Sequence, residues 1–141
     1  MVKFRWFRAY VDSLLRELWD GRAYTDDDGD WPFRRGTAAC WVAVRPSPRW
    51  RVEVFAHAAS DVKQSARLLR ELNEANSHLV EGRIYWRGGM VVVETSVEAT
   101  QVNPASLSLA CMAVGTTADD LGGLIAAMYD GSTPYPAEID A

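Results

Sequence analysis

Gly82-Arg83-Ile84-Tyr85-Trp86-Arg87-Gly88-Gly89-Met90-Val91-Val92-Val93-Glu94-Thr95-Ser96-Val97 is the stretch whose reading decides the fold. Two alternating runs flank a glycine pair, and a two-residue glycine loop suits the primed turns that join tight antiparallel hairpins. With Gly88 and Gly89 as the loop, Arg87 faces Met90, Trp86 faces Val91, Tyr85 faces Val92, Ile84 faces Val93 and Arg83 faces Glu94. Opposite charges then meet across the strands, while Trp86, Val91, Ile84 and Val93 share one side, so turn chemistry and hydrophobic pattern give the same register.

Working outward, two further β-branched and aromatic runs lie upstream, TAACWVAVR from Thr37 and RWRVEVFAH from Arg49, separated by Pro46-Ser47-Pro48. They read as strands joined by a proline-rich turn. Between them and the hairpin, Val62, Ala66, Leu69, Leu72, Ala75 and Leu79 predict a helix from Asp61 to about Leu79, capped by Ser60 or Asp61. Near the N-terminus, Phe4, Phe7, Val11, Leu14, Leu15 and Leu18 recur at helical spacing, with Arg8, Asp12 and Arg16 on the polar side and Gly21 as the stop. Asn103-Pro104 reads as a cap with proline at the first helical position. It opens a long helix through Leu107, Cys111, Val114, Leu121, Leu124, Ile125 and Met128, with a kink or break expected at Gly115-Thr116-Thr117. Residues 1–131 are expected to form one domain and residues 132–141 an irregular tail. The order predicts an α+β fold: an antiparallel sheet with helices mainly on one face.

The 141 residues carry a formal charge of −4, and lysine occurs only as Lys3 and Lys63. That balance argues against nucleic-acid binding, which draws on a net basic surface. No unbroken apolar run of membrane-spanning length is read from the sequence, and the charged N-terminal segment lacks a signal-peptide pattern, so no membrane is expected and the expected location is the cytoplasm. Tyr24-Thr25-Asp26-Asp27-Asp28-Gly29-Asp30-Trp31 raises the question of a calcium loop. With Gly29 at loop position six, however, Tyr24 and Arg35 fall where the first ligand and the bidentate Glu belong. An exposed Asp-Gly turn between helix and strand is the reading.

Catalytic chemistry finds no constellation. His57 and His78 lack partners at metal spacing. Cys40 lies in the apolar run AACWVAV, which suits an inert thiol; a cysteine-dependent enzyme built on a dyad with His57 is the alternative. Gly88-Gly89 and Gly122-Gly123 are not placed to cradle a phosphate. Glu71, Glu74 and Glu81, beside Arg67 and Arg70, read as a solvated ion-paired surface. The expectation is a protein that is not an enzyme, with no cofactor and no metal.

Strand parity supplies the candidate site. Cys40, Val42, Val44, Trp50, Val52 and Val54 form one side of the sheet. The other carries Trp41, Arg51, Glu53 and Phe55, to which the hairpin adds Arg83, Tyr85, Arg87, Met90 and Val92. Aromatics, Met and Arg are the composition of protein-binding surfaces. Parity does not say which side the helices cover, so burial within the fold or in a homodimer stands beside partner binding. The residues assigned to a partner are Trp41, Arg51, Phe55, Arg83, Tyr85, Met90 and Val92.

Leu72-Asn73-Glu74-Ala75-Asn76, Gly82 to Trp86 and Val91 to Thr95 resemble the centre of the YbjN and type III secretion chaperone-like (TY-Chap) domains common in actinobacteria. The Asp28-Gly29-Asp30 turn before WPFR and the Ala118-Asp119-Asp120-Leu121 segment are similar too. The resemblance implies an α-β-β-β-α-β-β-α domain, frequent homodimerisation, and peptide-binding chaperone or regulatory work without catalysis. Asn73, Asn76 and Trp86 are read as structural, the two amides bridging backbone groups where helix meets hairpin. Binding of an extended or helical protein segment is the functional expectation; a self-associating module without a client is the rival.

Overall fold

The computed structural model describes residues 2–137; the last part of the expected tail, 138–141, lies outside the described residues. Helix α1 (Val2–Leu18) is followed by strands β1 (Trp31–Arg35), β2 (Ala38–Arg45) and β3 (Arg51–Ala59). Then come α2 (Ala66–His78), the hairpin β4 (Arg83–Arg87) and β5 (Met90–Glu98), a 3-10 turn (Ala99–Gln101) and α3 (Pro104–Met128). All strand pairs are antiparallel, in the order β1-β2-β3-β5-β4. The hairpin register is the one its glycine pair dictates, from Arg87 opposite Met90 to Arg83 opposite Glu94.

The helices cover one face. Cys40, Val42, Val52, Val54, Ala56, Ile84, Val91 and Val93 pack beneath them with Leu107, Val114 and Ala118 of α3 and Val11 and Leu15 of α1. Trp50 precedes β3 rather than lying in it, and its ring stacks against Phe7 and meets Phe4 edge-on. The polar side of α1 folds onto Trp31: Asp12 Oδ1 accepts from Trp31 Nε1 at 2.9 Å and the Arg8 guanidinium lies over the ring. The acidic stretch before it is a turn. Asp26 Oδ1 accepts from the N–H groups of Asp28 and Asp30, and Gly29 takes φ 80°, which only glycine adopts without strain.

Two expectations are corrected. Helix α2 starts at Ala66, capped by Ser65, not at Asp61. Asp61 is left-handed, and Val62 is held inside by its N–H to Gly89 O and by Trp86 Nε1 donating to Val62 O at 2.7 Å. Within the helix the buried residues are Leu68 and Leu72 while Leu69 is 43% exposed, and Glu81 lies beyond its end.

Second, α3 runs unbroken through Gly115-Thr116-Thr117. Its glycines serve close approach: a Cβ on Gly122 would lie 2.3 Å from Ala58 O, and one on Gly115 would lie 3.0 Å from Arg35 Cβ. Leu124 and Met128, two of the apolar residues along it, are 57% and 38% exposed.

By length and average composition α3 also matches a membrane-crossing helix, with Thr116, Thr117, Asp119 and Asp120 interrupting its apolar residues. In this fold its Leu107, Ala110, Val114, Ala118 and Ile125 are buried within the core.

The segment after α3 is irregular yet tied down. Ser132 pairs with Ser60 in an isolated bridge, Tyr135 N–H donates to Thr37 O, and Arg34 lies over the Tyr135 ring.

Candidate functional site

The face of the sheet away from the helices is built by alternation. In β2 and β3 every second residue points there: Trp41, Ala43 and Arg45, then Arg51, Glu53, Phe55 and His57, their partners across the ladder being fixed by the register. β5 adds Val92 opposite His57 and Glu94 opposite Phe55, and β4 adds Tyr85 and Arg83 opposite those. All seven residues assigned from parity lie on this face. Trp41, Arg51, Phe55, Tyr85, Met90 and Val92 are half-buried and Arg83 is exposed.

Trp41 and Phe55 stack with ring centroids 5.3 Å apart, and the His57 ring sits 4.6 Å from Trp41. Burial lowers the pKa of His57 below its ordinary value, so it is neutral at neutral pH. Beside this stack an open trough of about 510 Å³ runs over Val92 and Met90, between Phe55 and His57 on one wall and Tyr85 and Arg87 on the other. It brings together Phe55, Arg83, Tyr85, Met90 and Val92. Trp41 backs the wall, and Arg51 lies at the far end, 3.5 Å from Glu53.

Charge in the trough is ordered. Glu94 Oε1 pairs with Arg83, whose Nε donates at 2.7 Å, and Glu94 Oε2 accepts from Tyr85 Oη at 2.9 Å. Burial and the Glu94 carboxylate together raise the Tyr85 pKa. Arg45 lies 3.8 Å from both Asp30 and Glu53. His57, Arg45 and Glu94 were not assigned from sequence; the signal for His57 and Glu94 was present, since each lies one alternation from an assigned residue.

The sheet edges are less open. At β4, Asn76 Nδ2 donates to Ile84 O and its Oδ1 accepts from Ile84 N–H, both at 2.8 Å, so a side-chain amide occupies the outward backbone groups of Ile84. Asn73 is exposed. At β1, Pro32 has no N–H to offer. A separate apolar groove of about 260 Å³ lies between α2 and α3, lined by Leu68, Leu72, Leu121, Leu124 and Met128 among others.

The Cys40–His57 dyad is excluded by geometry: Cys40 pairs with Ala56 and is fully buried on the helix side, whereas His57 points to the open side. Burial pushes both the Cys40 and Cys111 thiols up to about 12. No group of three or more potential metal ligands occurs among the described residues.

Residues 5–137 match the family model TY-Chap1, described as T3SS (YopN, CesT) and YbjN peptide-binding chaperone 1. The chain belongs to that family. As a TY-Chap1 member it is a peptide-binding chaperone-like domain. Among solved structures, "Crystal Structure of the ExsC-ExsE Complex" contains a chain with the same fold, with a TM-score of 0.67 at 17% identity over 84% of this chain and 95% of that one. No curated protein matches the chain by sequence. The fold is thus the α-β-β-β-α-β-β-α type III secretion chaperone-like fold that the resemblance implied.

Proposed function

We propose that this TY-Chap1 domain is a non-catalytic chaperone-like or regulatory protein that binds a segment of a protein or peptide partner on the open sheet face. Trp41, Arg51, Phe55, Arg83, Tyr85, Met90 and Val92 are its contact residues. One observation carries the reading: the chain's own helices leave an aromatic face of the sheet uncovered, and such rings are the usual anchors of an interface. The face is favoured over strand addition because Asn76 occupies the outward backbone groups of Ile84 at the middle of β4 and Pro32 interrupts β1. The buried Cys40 thiol, its pKa raised and its side chain on the opposite side of the sheet from His57, supports the non-catalytic assignment, and free cysteines suit the cytoplasm.

A homodimer is the secondary part of the proposal. Its surface is the apolar side of α3, where Leu109, Met112 and Leu124 are exposed, because an uncharged patch can meet its own copy without bringing like charges together.

The experiment is crosslinked capture from the native host by wild type and by a Trp41→Glu, Phe55→Glu variant, both sized by light scattering. Loss of a specific protein by a variant of unchanged size supports the proposal. A variant that falls from dimer to monomer, or unfolds, makes the face structural.

A further inference from the structure

We propose that the open-face trough selects an acidic–apolar segment, in which an apolar side chain seated over Val92 and Met90 is followed closely by an Asp or Glu that pairs with Arg87. The inference rests on the sheet face being the binding site and adds the chemistry of its occupant.

Both carboxylate oxygens of Glu94 are engaged, one by Arg83 and one by Tyr85 Oη. Glu53 lies between Arg45 and Arg51. Arg87 alone among the trough's cations has no carboxylate within ion-pair distance among the described residues; its guanidinium instead lies 5.1 Å over the Tyr85 ring. The trough's acids are therefore used and one cation is left over, in a chain whose net charge is −4.

Preorganisation points the same way. The hydroxyl bond to Glu94 fixes the Tyr85 ring, and that ring holds Arg87 beside the apolar floor, because Arg87 pairs with Met90 and Tyr85 with Val92. A guanidinium stacked on an aromatic ring keeps its in-plane donors free for a carboxylate. His57 on the facing wall is neutral and adds no competing charge. A second copy is disfavoured as occupant, since a two-fold interface over the trough brings together two patches with the same surplus of positive charge.

The test is selection of a displayed library of random peptides of about twelve residues on wild type and on Arg87→Glu protein. Binding of the best peptide is then measured by fluorescence anisotropy. The expected result is enrichment of Asp or Glu within two residues of an aromatic or aliphatic side chain on the wild type, and loss or reversal of that acid preference on Arg87→Glu. Arg87→Gln should weaken the selected peptide about tenfold, and Arg87→Lys should restore part of the loss.

Neutral or basic peptides enriched equally on both proteins, yet lost on Phe55→Glu, overturn the acid preference and leave the sheet-face site standing. Peptides that still bind Phe55→Glu with unchanged affinity, or a folded wild type that enriches nothing, overturn the site itself. Concentration-dependent dimerisation abolished by Arg87→Glu identifies a second copy as the occupant and overturns the heterologous assignment.

Discussion

Along β3, Val52, Val54 and Ala56 are fully buried, while Glu53, Phe55 and His57, one residue on in each case, are only half-buried. The two sets share a backbone, a ladder and a register, and differ only in which side of the pleat they occupy. One side packs against α1 and α3; the other ends in a stacked Trp41–Phe55–His57 cluster with nothing from the described chain above it. Hydrophobic character alone therefore does not separate core from surface. The separation comes from where the helices land.

Placing the same charge on either side of that pleat gives the largest contrast. Val54→Asp buries an unpaired carboxylate and is expected to remove about 4 kcal/mol or more, enough to unfold the domain in a denaturant titration. Phe55→Asp is expected to change stability by no more than about 1 kcal/mol while abolishing peptide binding. Equal destabilisation by the two would show that the open face is also core.

The helix that makes the covered face covered gives the next test. Gly122→Val brings a side chain onto Ala58 O and should cost about 2–3 kcal/mol in urea unfolding. Gly123→Ala meets nothing within 4 Å and should be neutral or stabilise by up to about 1 kcal/mol.

At the sheet edge, Asn76→Ala removes both bonds to Ile84 and should cost about 1–2 kcal/mol. It also frees the β4 edge for self-association, visible as a rise in mass by light scattering. A variant of unchanged mass and stability would show that water replaces the amide without consequence.

The smallest effect concerns His57. Its folded-state pKa lies below the ordinary 6.5, so its contribution to stability is complete above that pH and declines as pH falls toward the folded value, where the unfolded chain binds the proton first. His57→Gln should flatten that part of the pH–stability profile. An unchanged profile would assign the slope to other groups.

The hairpin was legible because its glycine pair, its charges and its alternation all demand one register. The open-face residues were legible as a set for the same reason: parity is a property of the strand itself. The start of α2 was not. Val62 continues the apolar spacing of a helix, but its backbone is bonded to Gly89 and Trp86, partners distant in sequence, and the helix begins only at the Ser65 cap. The continuity of α3 was hidden likewise. Glycines that weaken an isolated helix are here the positions at which it closes on the sheet.

By itself the sequence determined the hairpin register, the Asn103 cap, the two-sided character of the sheet and the family resemblance, because each depends on neighbours in the chain or on one turn. Tertiary structure alone decided which side the helices cover, how Asn76 closes an edge, and which arginine is left without a carboxylate. Those outcomes depend on distances between residues far apart in sequence, and strand periodicity looks the same whichever face is buried.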